Sequence, residues 1–256
     1  MHKRMKEKNI RLVIAYNGSR FYGWQRQKEE ITIQGTIEKT LKRITGEDVK
    51  LTGCGRTDSG VHAISYVANF KTSSQLTPQQ MKNALNANLP SYICIKSVEV
   101  VSPEFHSRYS AKKKTYRYLI KTGEKSPFLN GLVCYVKGPL DISRMKKAAL
   151  HFTGRHNFSA FQASGSSIRD TERTIYKITI REERFTIDPE VKVISIEITA
   201  DGFLYKMARN IVGTLIWVGL GKLSPEEIPE LILSGDRKRV PPTAHPEGLY
   251  LKKVVY

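Results

Sequence analysis

Little in this chain could staple it or clip a metal. It holds three cysteines, Cys54, Cys94 and Cys134. An odd count at such wide spacing gives no disulfide framework and no CxxC metal clip, which suits a reducing compartment such as the cytoplasm. No apolar run is long enough to span a bilayer, so no membrane association is expected. The basic start MHKRMKEKN has no apolar stretch behind it and reads as a frayed terminus rather than a signal peptide. Acids are also scarce. Asp and Glu number 24 against 42 Lys and Arg, a formal net charge of +18. Such an excess sets up a positive field that concentrates polyanions. Phosphate contacts supply most non-specific affinity for nucleic acid, which makes nucleic acid the leading partner. The plainer alternative is a charge serving solubility or ribosome association. With 40% apolar residues, the composition supports a folded core and argues against disorder.

Hydrophobic periodicity predicts an α+β chain. The first hundred residues read as strand, helix, strand, strand, helix, strand. Strands are predicted at 10–16, 50–53, 64–70 and 93–101. One helix is predicted over 34–44, with Gly46 past its end. Another begins at Thr77 and Pro78 and stops at Pro90. The second half alternates similarly, with strands at 116–121, 131–136, 173–181, 191–199 and 249–255. Its helices are predicted over 142–152, with Asp141 near the N-cap, and over 203–218. There is no sequence repeat, only a repeated pattern of elements. The stretch 102–114 is the best seam, which suggests halves at 1–106 and 107–256.

Three segments are dense in chemistry. The first is GCGRTDSGVHA, residues 53–63, where three glycines within eight residues let the backbone turn sharply and approach a ligand. Arg56, Asp58 and His62, charged or titratable groups, share that turn, which places a carboxylate on a tight loop at the end of strands. The same spacing also fits a plain hairpin whose aspartate satisfies its own backbone, or a phosphate nest. The second is RYSAKKKTYRY, residues 108–118, basic residues interleaved with aromatics. Cations there can meet phosphates while a ring stacks on an extruded base. Tyr116 and Tyr118 point to one face of a strand, and one of the two is expected in the core. The third is DGFLYKMARNIVG, residues 201–213. Arg209 borders the apolar stripe of its helix, so it either takes an anionic partner or snorkels at a core edge.

Taken together, these segments resemble the bacterial tRNA pseudouridine synthase A family. GRTDSGVHA is similar to the family's aspartate loop, KTYRYLI to its tyrosine segment and GFLYKMARNIVG to its arginine helix. FYGWQRQ near the start and TAHPEGLYL at the end agree as well, so order and spacing hold over nearly the whole chain. The resemblance implies the pseudouridine synthase fold: two ferredoxin-like α+β halves joined into one extended, mainly antiparallel sheet with a central basic cleft. It implies isomerisation of uridine to pseudouridine at tRNA positions 38, 39 or 40 in the anticodon stem-loop, by a homodimer and without cofactor or metal. Asp58 would be the essential carboxylate, Arg209 its ion-pair partner and Tyr116 the ring stacked on the target base. Phe21, Trp24, Gln25, Arg56, His62, Lys112, Lys113 and Arg117, with Tyr116, would contact RNA. The target lies in a stem and must leave the stack before chemistry, at a cost of a few kcal/mol. A non-catalytic binder of structured RNA would keep the charge and the aromatics but would have no need of an Asp58–Arg209 pair. A methyltransferase would need a cofactor loop opening a helix, and no helix pattern follows GRTDSG.

Overall fold

The computed structural model describes residues 7–166, 168–185 and 188–256. The basic start, from Met1 to Lys6, lies outside the described residues. The described chain contains ten strands and five α-helices in α+β order, and divides into two units.

The first unit runs to Lys112 and takes back Leu251–Tyr256. Strand β1 (Lys8–Tyr16) buries Ile10, Leu12, Ile14 and Tyr16, the period-two face that its alternation predicts. Each such aliphatic side chain contributes about 1.5–3 kcal/mol by leaving water. Helix α1 (Ile33–Thr45) starts where Thr32 Oγ1 accepts the Gly35 amide. It stops at Gly46, whose φ of 75° is left-handed. Strand β2 (Thr52–Gly53) is a short remnant of the strand expected over 50–53, and it pairs with β3 (His62–Thr72). Helix α2 (Pro78–Asn88) opens on a reciprocal capping box between Thr77 and Gln80. Strand β4 (Ile93–Val101) follows the predicted bounds. The strands of this unit run antiparallel in the order β4-β1-β3.

The seam lies at Lys112/Lys113 rather than after residue 106, because hydrogen bonds tie the intervening loop to the first unit. The side-chain amide of Asn9 donates to the carbonyls of Ser102 and Phe105, each at 2.9 Å. The Ser107 amide donates to Asn69 Oδ1 at 2.9 Å, and the Lys112 amide to the Val255 carbonyl at 2.8 Å.

The second unit is built on β5 (Lys113–Thr122), with β6 (Cys134–Val136) parallel to it. Helix α3 (Ile142–His151) is capped by Asp141, as anticipated. Strands β7 (Gly154–Asn157), β8 (Glu172–Arg184) and β9 (Lys192–Ala200) complete an antiparallel order β5-β9-β8-β7. Helix α4 (Met207–Gly219) is almost wholly buried, followed by α5 (Ile228–Ser234) and by β10 (Leu249–Val255), which crosses back to the first unit. Helix α4 begins at Met207 instead of Phe203 because Lys206 turns left-handed, with φ 57°. The apolar spacing of Phe203 and Leu204 continues the helical period but does not specify helix there. No helix of the described residues is long and apolar enough to cross a membrane.

Candidate active site

In the first unit, Asp58 sits half-buried in the loop between β2 and β3. The Val61 amide donates to the Asp58 carbonyl at 3.2 Å, closing a tight turn directly after the aspartate. The loop ends at Gly60, whose φ is 78°.

This turn is held from outside. The 3-10 turn Gly18–Arg20 and the strap behind it lie against the loop. The Trp24 amide donates to the Thr57 carbonyl at 3.1 Å, and the Gly60 amide to the Phe21 carbonyl at 3.4 Å. The Gly18 amide donates to His62 Nδ1 at 3.1 Å. The strap approaches so closely that a Cβ on Gly18 would lie 1.9 Å from the Val61 carbonyl oxygen. Gly23, with φ 80°, would place one 2.5 Å from the Thr57 oxygen. The FYGW segment thus has a mechanical reason to contain glycine.

Beneath the loop is a cluster of three buried rings. Trp24 and Tyr66 stack with centroids 3.9 Å apart, and Tyr16 tilts against Tyr66 at 5.8 Å. Two hydroxyls from this cluster reach the loop. Tyr66 donates to the Gly55 carbonyl, and Tyr16 shares a 2.8 Å bond with the Thr57 hydroxyl. They grip the chain on both sides of Arg56, one and three residues before Asp58.

A buried polar network ties the strap to α1. Gln25 and the Arg26 amide both donate to Gln34 Oε1, at 3.0 and 2.9 Å. Gln34 in turn donates to Glu38 and to the Leu51 carbonyl, each at 3.0 Å. The carboxylate of Glu38 also accepts the Leu51 amide at 2.9 Å and faces Arg26 at 3.4 Å. The Glu38 carboxylate thus has three partners, which offset the cost of its burial and stiffen the approach to the loop.

The second unit carries the other two expected residues. On β5, Tyr118 is the core tyrosine of the pair. It is fully buried, its hydroxyl donates to the His245 carbonyl at 2.8 Å, and burial pushes its pKa far up. Gly248 is required beside it, since a Cβ there would meet the Tyr118 ring at 2.6 Å. Tyr116 is half-buried and meets Phe203 edge-on, with centroids 4.8 Å apart. Arg209 lies in the first turn of α4, half-buried, with Nε donating to the Ala244 carbonyl at 2.8 Å. The Ala244 amide donates back to the Arg209 carbonyl at 3.1 Å. A Cβ on Gly213 would lie 2.1 Å from the Pro242 oxygen, so helix and terminal segment are in close contact there. The buried Asn210 completes the joint. It donates to the Phe161 carbonyl at 2.7 Å and accepts from Thr243 at 2.6 Å and from Arg237 at 3.2 Å.

Of the residues expected to contact RNA, His62 is 1% exposed and Trp24 2% exposed, and Phe21 is also buried. The His62 ring accepts the Gly18 amide, Trp24 stacks on Tyr66, and the Phe21 carbonyl accepts the Gly60 amide. Arg117 is paired with Glu183 and lies 3.9 Å from Glu197, because its side chain leaves β5 on the opposite side from Tyr116. Lys113 lies over the Tyr176 ring at 4.4 Å. Gln25, Arg56 and Lys112 are exposed. The residues missed from sequence are the supports: Tyr16, Thr57, Tyr66, Asn210 and Thr243. Thr57, Asn210 and Thr243 lay inside segments already singled out, but Tyr16 and Tyr66 did not. Tyr16 and Thr57 are 41 residues apart, and no local pattern joins their hydroxyls.

A family model described as tRNA pseudouridine synthase matches residues 12–110 and 148–256. The chain belongs to the tRNA pseudouridine synthase family. It is 44% identical over 250 residues to tRNA pseudouridine synthase A of Thermoanaerobacter sp. (strain X514), covering 97% of this chain and 100% of that one. It is 46% identical to tRNA pseudouridine synthase A of Acetivibrio thermocellus over the same shares. Identity to tRNA pseudouridine synthase A 2 of Clostridium perfringens is likewise 46%, again over 97% of this chain and 100% of that one. A solved structure, a Cbf5-Nop10-Gar1 complex, is similar at TM-score 0.36 and 12% identity, covering 94% of this chain and 57% of that one. That last likeness is too low to carry an argument.

Proposed function

We propose that this protein isomerises uridine to pseudouridine in the anticodon stem-loop of tRNA, with Asp58 as the reacting carboxylate. Membership of the family supplies the reaction class. The observation that carries the residue assignment is the clamp on the loop: two buried tyrosine hydroxyls and the Trp24 amide fix the backbone around a half-buried aspartate. A turn whose aspartate merely satisfied its own backbone would need no such scaffold. Isomerisation breaks the glycosidic bond, turns the uracil and forms a carbon–carbon bond to the same ribose, so reactant and product have the same composition. A carboxylate held in fixed geometry suits every route to that outcome, because positioning alone lowers the barrier substantially.

The remaining assignments follow the same reading. Tyr116 stacks on the extruded base and assists proton transfer. Arg209 supplies the reaction's cationic group, the role that the family resemblance implies. Its backbone-anchored Nε leaves the guanidinium fixed in direction. Gln25, Arg56, Lys112 and Lys113 belong to the RNA-contacting set, whereas Phe21, Trp24 and His62 act as loop supports. The enzyme works in the cytoplasm as a homodimer.

Asp58→Asn is the test. It keeps size and hydrogen bonding but removes the negative charge. Isomerisation of an unmodified tRNA transcript should vanish while affinity for that transcript stays within severalfold of wild type. Turnover at the wild-type rate would end the assignment.

A further inference from the structure

The loop between β4 and β5 carries a second feature that the reaction does not use. Tyr109 is 76% exposed, with its ring lying 4.3 Å from the His106 ring at an interplanar angle of 32°. The Arg108 guanidinium lies 5.5 Å from the same ring. An exposed tyrosine on a mobile loop would be unremarkable, but this one is built in. His106 Nδ1 accepts both the Arg108 and the Tyr109 amides at 3.2 Å, and its own amide donates to Ser110 Oγ at 3.1 Å. The Ser110 amide closes the turn on the His106 carbonyl at 2.9 Å. Two residues earlier than Tyr109 the chain is pinned to the core. Ser107, fully buried, donates from its hydroxyl to the Thr52 carbonyl at 2.6 Å and accepts the Tyr256 hydroxyl at 2.8 Å. Thr52 lies on β2, the strand that leads into the aspartate loop. The loop that carries the exposed ring is therefore tied, inside one unit, to the strand that leads into the aspartate loop.

We propose that His106, Arg108 and Tyr109 form a stacking platform for an unpaired base of the RNA substrate, with Arg108 meeting its phosphate. Charge complementarity selects this occupant. The chain carries a formal charge of +18, and Arg108 and Lys112 are both exposed on this loop. A ring beside a guanidinium offers a nucleotide both a π-face and a cation, and aromatic stacking accepts any base. Because the ring is already ordered, a base docking on it loses little further side-chain entropy. The proposal rests on the RNA-modifying reading above and extends it to a contact that grips RNA away from the reacting carboxylate.

The experiment measures equilibrium binding of an unmodified tRNA transcript across a salt titration. Tyr109→Ala should weaken binding about tenfold, the order expected for loss of one base–aromatic stack. Tyr109→Phe and Tyr109→Trp should bind like wild type, since each keeps a ring. The salt slope should be unchanged in Tyr109→Ala and should fall by about one in Arg108→Ala. Unaltered affinity in Tyr109→Ala overturns the platform. So does equal weakening in Tyr109→Phe, which would make the hydroxyl rather than the ring the contact. Isomerisation by the wild-type protein is scored on the same transcript. Its absence alongside intact ring-dependent binding would reject the enzyme reading and leave the platform standing.

Discussion

At the scale of single residues, the proposed roles divide along burial and anchoring. Tyr116 and Tyr118 leave β5 on the same side, yet Tyr118 is committed to the core by its bond to the His245 carbonyl. Tyr116 keeps part of its surface open beside Phe203. Tyr116→Phe should retain RNA affinity and slow turnover, measured as single-turnover rate at saturating enzyme; a wild-type rate would reduce the hydroxyl to a spectator. Arg209 is anchored by Nε to Ala244, which leaves its terminal nitrogens as a planar fork. Lysine offers a point charge in place of that fork. Arg209→Lys should therefore lose at least about tenfold in rate, the equivalent of roughly 1.4 kcal/mol in transition-state stabilisation. Full activity in that variant would remove the ion-pair argument.

At the scale of elements, the eight-residue loop between β2 and β3 is stiffened by contacts from outside it. Thr57 is the clearest test, because its hydroxyl meets Tyr16 in a buried 2.8 Å bond next to the aspartate. Thr57→Val keeps the shape and removes the bond, and it should cost about 1 kcal/mol of stability. It should also lower the isomerisation rate with little change in KM. Thr57→Ser should restore the rate; a rate that follows stability alone across both variants would reduce the clamp to ordinary packing. These supports also mark the limit of what the sequence discloses. Strand alternation at Ile10, Leu12, Ile14 and Tyr16 placed β1, and Gly46 marked the end of α1, because those signals are local. Asp58, Tyr116 and Arg209 stood out as chemical groups in unusual settings and through the family resemblance. The reach of Tyr16 and Tyr66 to the loop is a tertiary fact, invisible to any periodicity. Strand β7 was missed because GRHN has no apolar alternation, and α5 because seven residues give too short a period. The burial of His62 and Trp24 was not legible either, because no local pattern shows how closely the strap packs on the loop.

At the scale of the whole molecule, the excess of 42 basic over 24 acidic residues is the feature that no single site explains. Internal ion pairs leave it intact. Arg11, Arg117 and Arg155 are each paired with a glutamate, one charge of either sign, and such pairs contribute little to binding or stability. The excess predicts that tRNA affinity falls steeply and linearly in log–log salt titration. A flat titration would contradict an electrostatic footprint. The measurement that tests the central claim most directly is pseudouridine mapping on unmodified tRNA transcripts treated with wild-type protein or with Asp58→Ala. Pseudouridine has the mass of uridine, so the readout is chemical labelling followed by a primer-extension stop. The account predicts a stop in the anticodon stem-loop with wild type and none with the variant. A stop with both proteins, or with neither despite tight salt-sensitive binding, would contradict it.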